Sequence, residues 1–240
     1  EGVRKASART MHPFRNFTRN FDQRLVLAGA RSAPPPVESP EPVRPKQPTH
    51  GDVREAWELT KWGADAVRAG RAVCRIWRKD GSTGTGFMVG ESLVVTAVHV
   101  IGSDEQCAGS QAEFGQERDK EGAYSKVTVK AYARKRVAWS GNEVSVVEVE
   151  GAPGREWGVL SLAEEVEAGQ RVYVVHHPKG DFKKVSGLGS ETTIERVDGG
   201  VLVHSGDTLP GSSGAPILDG SWKVVGVHFG TERGGAGNTG

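Results

Sequence analysis

From Ala72 onward the chain alternates apolar and polar residues in short runs, as in Val73-Cys-Arg-Ile-Trp77 and Val127-Thr-Val-Lys-Ala-Tyr132. Turn clusters such as Lys79-Asp-Gly-Ser82 and Ser140-Gly-Asn142 separate these runs. A period of two sends successive side chains to opposite faces of a half-buried strand, so many short runs with turns between them predict an all-β barrel or sandwich. A second set of runs follows a polar connector around residues 163–169: Val172-Tyr-Val-Val175, 182–185, 192–195 and Val201-Leu-Val-His204. The pattern therefore predicts one β unit over residues 70–168 and another over 169–240.

Upstream the texture is different. Over residues 51–69, Val53, Trp57, Thr60, Ala64 and Val67 recur at helical spacing. This predicts a helix lying against the first β unit, with Trp57 and Trp62 as packing residues. Residues 33–50 carry Pro34-Pro-Pro36 and further prolines at 40, 42, 45 and 48, the composition of an extended linker. Residues 1–32 form a basic arm with seven basic side chains against two acidic ones. In that arm Phe14, Phe17, Phe21 and Leu25 would share one side of a helix, which reads as a docking segment or a partly disordered arm, with a membrane, targeting or partner-binding helix as the alternative.

Composition narrows the picture. A chain of 240 residues, 36% hydrophobic and 25% charged, fits one globular domain with a tail. A formal net charge of +1 gives no global attraction to nucleic acid or membrane, and Arg134-Lys-Arg136 and Lys179, Lys183 and Lys184 read as solvated faces. No apolar run reaches the length of a membrane span. Cys74 and Cys107 are too few for a disulfide framework and read as small buried hydrophobes. With no signal core in view the compartment stays open, leaning to the cytoplasm. The start at Glu1 and the glycine-rich end, Gly234 to Gly240, suggest a piece of a longer polypeptide whose second β unit is cut short. His176-His177-Pro178 resembles a metal hint, but neighbours on a strand face opposite ways, so neither a metal nor a cofactor is expected.

The chemistry concentrates in two stretches. Gly206-Asp-Thr-Leu-Pro-Gly-Ser-Ser-Gly-Ala-Pro-Ile217 frames Ser213 with glycines, and Val94-Val-Thr-Ala-Val-His99 lies upstream. A hydroxyl becomes a useful nucleophile at neutral pH only when an imidazole takes its proton, and Ser213 and His99 are candidates for that pair. The glycines permit a turn tight enough to aim several amides at one developing oxyanion, and the natural donors are the N–H groups of Gly211 and Ser213.

Five blocks, Gly84-Thr-Gly-Phe-Met-Val-Gly90, Leu93-Val-Val-Thr-Ala-Val-His99, Glu143-Val-Ser-Val-Val-Glu-Val149, Asp207 to Ile217 and Val224-Val-Gly-Val-His-Phe-Gly230, resemble in order the chymotrypsin-like serine peptidases. The likeness spans roughly residues 72–230 and is strongest to the disulfide-poor bacterial branch that includes the glutamyl endopeptidases; the residue after His99 is Val100, where vertebrate members carry a bridged cysteine. The resemblance implies two antiparallel six-stranded β-barrels with a cleft between them, and a triad in the order His, acid, Ser. The acid position holds Glu143 where the family usually has Asp-x-Ala. Asp104 and a water-bridged arrangement remain alternatives. Thr208 and His228 match the pair that recognises a substrate carboxylate in glutamyl endopeptidases, whereas Asp207 stands where trypsin-like members hold an aspartate for basic substrates.

The expectation is a serine endopeptidase working through an acyl-enzyme, leaning to acidic residues before the scissile bond, with a protein or peptide as substrate. Residues 1–48 are available for a regulatory partner or for completing the site. The alternative is a weak or inactive pseudo-peptidase that binds peptides as a scaffold. A nucleophile elbow of the α/β-hydrolase kind does not fit, because here the histidine precedes the serine and a β pattern follows it.

Overall fold

The computed structural model describes residues 53–124, 129–140, 143–189, 191–231 and 238–239. The basic arm, the whole linker, and Val127 and Thr128 of the alternating run lie outside the described residues.

Strand β1 (Val53–Glu55) opens the described chain, followed by a 3-10 helix over Ala56–Trp62 and α1 (Ala64–Arg71). Next come β2 (Val73–Trp77), β3 (Thr83–Gly90), β4 (Leu93–Ala97), α2 (Asp104–Cys107), β5 (Gln111–Phe114), β6 (Val129–Ser140), β7 (Val144–Val149) and α3 (Gly154–Trp157). The second half contributes β8 (Tyr173–His176), β9 (Lys184–Ser186), β10 (Ile194–Asp198), β11 (Val201–His204), β12 (Pro216–Leu218), β13 (Val224–Val227), β14 (Gly230–Thr231) and β15 (Asn238–Thr239).

The first half closes into a six-stranded barrel in the order β2-β3-β4-β7-β6-β5. Its β-branched runs pair in register, with Val94 opposite Val147, Val95 opposite Val146 and Thr96 opposite Ser145. Such runs suit a pleated surface that is buried on at least one face. In the second half the described strands form two antiparallel sheets, β1-β9-β8-β12-β13 and β10-β11-β15-β14. The expected all-β architecture is therefore present, its first barrel closed and its second half written as two sheets among the described residues. The core is continuous between the halves: Tyr173, Val175, Val185, Leu218 and Val227 belong to the same buried cluster as Phe87, Met88, Val146 and Phe114.

The segment before the barrel differs from the single amphipathic helix its spacing suggests. Val53 pairs with Ser186, so β1 extends a sheet of the second half. Gly63, at φ 97°, separates the 3-10 turn from α1. The buried side is Ala56, Leu59, Ala66, Ala69 and Gly70, not the face of Val53, Trp57, Thr60, Ala64 and Val67. Gly70 lets Leu59 press onto α1, since a Cβ there would stand 2.5 Å from Leu59 Cδ1.

Candidate active site

The loop that carries Ser213 turns twice before β12. Ser212 N–H donates to Leu209 O at 2.9 Å and Ala215 N–H to Ser212 O at 3.0 Å. Gly211 and Gly214 adopt φ of 96° and 90°, the left-handed region in which a side chain is strained. Space is short as well: a Cβ on Gly211 would lie 2.7 Å from both His177 O and Gly180 N. Backbone from the second half therefore backs the loop on one side, and Lys179 N–H donates to Pro210 O.

The first barrel holds the loop's other side through one residue. Thr85 N–H donates to Ser213 O at 2.8 Å, and Thr85 Oγ1 donates to Gly211 O at 2.8 Å while accepting from His177 N–H at 3.0 Å. Arg75, paired with Glu113, adds a bond to Gly180 O at 2.7 Å. Gly214 then packs against Thr85, Thr96 and Ala97, two residues before His99.

His99 stands in the turn after β4, where Val100 and Ile101 N–H groups fold back onto Ala97 O. Glu143 immediately precedes β7, and its carbonyl accepts Val98 N–H at 2.8 Å, which fixes the backbone next to His99 against the backbone of Glu143. Three chain segments that are far apart in sequence thus meet at one place: the turn of His99, the start of β7 at Glu143 and the loop of Ser213. The His99 ring is exposed at the surface of the turn, yet neighbouring protein removes part of its water, which lowers its pKa below 6.5. Asp104, the alternative acid, begins α2 beyond the turn, where Ser103 caps the helix by accepting from Gln106 N–H.

Residues 84–227 match the family model of the trypsin-like peptidase domain. The chain belongs to the trypsin-like peptidase family. It is 33% identical over 187 residues to the uncharacterised protein y4fB of Sinorhizobium fredii, covering 68% of this chain and 28% of that one. The chain thus spans under a third of that relative's length. Among solved structures, the active form of the Rv3671c protease from M. tuberculosis superposes with a TM-score of 0.60 at 21% identity, covering 87% of this chain and 88% of that one. A Glu endopeptidase in complex with MPD gives 0.58 at 18% identity, covering 71% and 83%. At these identities the likeness speaks for the fold: that of the serine peptidases.

Of the residues the sequence offers for specificity, this trypsin-like peptidase domain buries Asp207 and His228 and leaves Thr208 partly exposed. Asp207 O accepts from Ser186 Oγ at 2.6 Å. His228 lies just past β13, its main chain clasped by Gly214 and Ala215. Its Nδ1 faces His204 Nε2 at 3.2 Å, and His204 Nδ1 accepts Gly206 N–H, also at 3.2 Å. Those contacts fix the tautomers. Because Gly206 donates into Nδ1 of His204, the ring proton of His204 sits on Nε2 and points at His228 Nδ1, leaving His228 with an Nε2–H donor. Burial holds His228 at a pKa of about 4, with a hydrogen bond to the Thr239 main chain opposing and the nearby His99 reinforcing the shift. Burial likewise holds His204 well below 6.5.

Of the residues expected from sequence, the main chains at His99, Glu143, Gly211 and Ser213 are tied to the same edge of the first barrel, and His228 is close enough to sense the charge of His99. His204 and Thr85 had no sequence signal beyond the strands and Gly-Thr-Gly block that hold them. The adjacent imidazoles of His176 and His177 do separate, as strand geometry requires: His176 bonds Ser212, whereas His177 Nδ1 donates to Asp181 O.

The crowding at Gly214 makes a direct prediction. A methyl group there would fall inside contact distance of Thr85 O and Thr96 Oγ1 and 2.9 Å from Ala97 N, at a φ that already disfavours alanine. Gly214→Ala should cost at least about 3 kcal/mol through strain and overpacking. Thermal unfolding monitored by circular dichroism should show a melting temperature lower by roughly 10 °C; an unchanged one would mean that the two halves do not close here.

Proposed function

We propose that this chain is a serine endopeptidase that cleaves peptide bonds through an acyl-enzyme and prefers a carboxylate side chain before the scissile bond. The observation that carries the reading is the convergence of the His99 turn, the Glu143 strand start and the glycine-framed Ser213 loop on the Thr85–Ala97 edge of the first barrel.

In this mechanism Ser213 Oγ attacks the carbonyl carbon while its proton passes to neutral His99, so that an O–C bond forms and the carbonyl π pair moves onto oxygen. Glu143 orients the imidazole and stabilises the imidazolium. The Gly211 and Ser213 amides meet the oxyanion, which is why the loop is shaped by two glycines at positive φ. Collapse breaks the C–N bond and His99 returns the proton to the leaving amine. Water, deprotonated by the same ring, then hydrolyses the acyl-enzyme. Because desolvation keeps the pKa of His99 below 6.5, the ring is neutral and ready at pH 7.

For specificity, the hydroxyl of Thr208 is a donor suited to a carboxylate, and the ring N–H of His228 would serve one by exchanging its bond to the Thr239 main chain for the incoming anion. An incoming anion would also stabilise the His228 cation that burial disfavours. Asp207 is the competing feature, since an aspartate in that place would instead attract Arg or Lys.

Diaryl phosphonates bearing glutamyl, leucyl or arginyl side chains at the position before the reactive group test both levels. The expected result is a single adduct on Ser213 by intact mass and peptide mapping, formed fastest by the glutamyl reagent. Fastest labelling by the arginyl reagent would overturn the acidic preference and leave the peptidase. Absence of any adduct on well-folded protein would overturn the peptidase and favour a peptide-binding scaffold.

A further inference from the structure

The histidine pair that does not suit a metal has another use. His176 is fully buried at the end of β8, and its two ring nitrogens reach two different serines. Nδ1 lies 2.7 Å from Ser212 Oγ, and Nε2 lies 3.2 Å from Ser186 Oγ. Ser186 Oγ also contacts Asp207 O at 2.6 Å, and Ser212 Oγ accepts Leu209 N–H at 3.1 Å.

Proton counting gives these bonds a direction. A carbonyl oxygen can only accept, so the single hydroxyl proton of Ser186 is spent on Asp207 O. The contact between Ser186 and His176 must then be donated by the ring, which puts the ring proton on Nε2. Nδ1 is left as a lone pair and takes the hydroxyl proton of Ser212. The Ser212 oxygen is thereby turned to accept Leu209 N–H. One tautomer satisfies every member of the chain, and the opposite tautomer would ask Ser186 for two protons.

We propose that His176 is a positioning residue that locks the Leu209–Ser213 turn, through Ser212, to the segment at Asp207, through Ser186. The neighbour of the nucleophile and the first residue of the specificity segment are thus held by one rigid ring. Ser212 itself does no chemistry; it carries the constraint to the amides of Gly211 and Ser213. His176 stays neutral across the working range because burial, with nearby His228 and Lys184, holds its pKa at about 3. The ring therefore acts as a fixed strut and not as a titrating group.

The inference rests on the reading of Ser213 as nucleophile, so its test has one readout that does not need turnover. In ¹⁵N-histidine NMR, His176 should show the neutral Nε2–H tautomer, with that proton slow to exchange. Kinetically, His176→Ala should lower kcat by about 10²-fold, the scale of a small misplacement of reacting groups, with KM little changed. His176→Asn keeps an acceptor where Nδ1 stood and should remain within about tenfold of the parent. Ser212→Ala should lose kcat similarly, and the double variant should lose no more than His176→Ala alone, because both remove the same link.

An Nδ1–H tautomer overturns the proposal, as does His176→Ala with kcat within twofold of the parent, or a double variant whose losses multiply. If His176→Ala does not fold, Ser212→Ala and His176→Asn carry the same comparison. A parent protein inert to the phosphonates but showing the Nε2–H tautomer would strike the peptidase reading and remove the catalytic purpose, while leaving the bond network in place. The two failures are therefore distinguishable.

Discussion

Ser213→Ala should lower turnover of the best peptide substrate by about 10⁶-fold while leaving the melting temperature and the KM for that substrate nearly unchanged. The separation follows from how the loop is held. Its anchors are main-chain bonds, Thr85 N–H to Ser213 O and Gly214 N–H to His228 O, and bonds of the Thr85 and Ser212 side chains, and none of them uses the Ser213 hydroxyl. Removing Oγ deletes the nucleophile and little of the scaffold. His99→Ala should fall to a similar level, and the double variant should fall no further, because two members of one relay do not contribute independently. Glu143→Gln should lose about 10⁴-fold, the cost of a misoriented or wrongly protonated imidazole. Progress curves with a quenched peptide, run beside thermal melts, measure all four variants. Turnover that survives Ser213→Ala undiminished would remove the serine from the mechanism.

Acid should unfold this protein early. Four imidazoles, His176, His177, His204 and His228, are almost completely buried. Burial is the leading cause that lowers each of them, to about 3 for His176, to about 4 for His228 and well below 6.5 for the other two; Lys183 beside His177 and Lys184 near His176 add to it. In the unfolded chain each ring binds a proton near pH 6.5. The unfolded state therefore binds more protons than the native state below that pH, and stability must fall as pH falls from about 6.5 towards the folded pKa values. Each such group contributes roughly a kcal/mol per pH unit once its unfolded form is charged. Four acting together can consume the ordinary 5–15 kcal/mol stability of a domain within about two pH units. Urea titrations from pH 8 to pH 4 should show constant stability above pH 7 and a steep decline below pH 6. A flat profile down to pH 4 would contradict the burial of these rings.

Much of the candidate site is legible in the sequence because its residues lie in short local stretches of the chain. Gly211 and Gly214 sit in the left-handed region that only glycine enters without strain, so they mark the loop from composition alone. The turn after Val94-Val-Thr-Ala97 likewise announced His99. What escaped was set by partners far away in sequence. Val53 looks like the start of a helix, yet it pairs with Ser186 as a strand, and no periodicity within residues 51–69 encodes that partner. Gly63 broke the helical spacing, and the buried side passed to Ala56, Leu59, Ala66 and Ala69, whose small side chains give weak hydrophobic signals. His176 and His204 read as strand residues; only the fold brings the first to Ser212 and the second to His228. Thr85 escaped for the same reason, since the three bonds of its amide and hydroxyl all cross to the other half of the molecule.

That crossing has a consequence in time. The hydroxyl and amide of Thr85, on the first barrel, grip His177, Gly211 and Ser213, which are made roughly a hundred residues later on the ribosome. A chain caught part-way through synthesis has His99 and Glu143 but no loop to serve. A released second half has Ser213 but not the strand that shapes its turn. If the chain cuts as proposed, that ability needs both halves to be made and is lost when they separate.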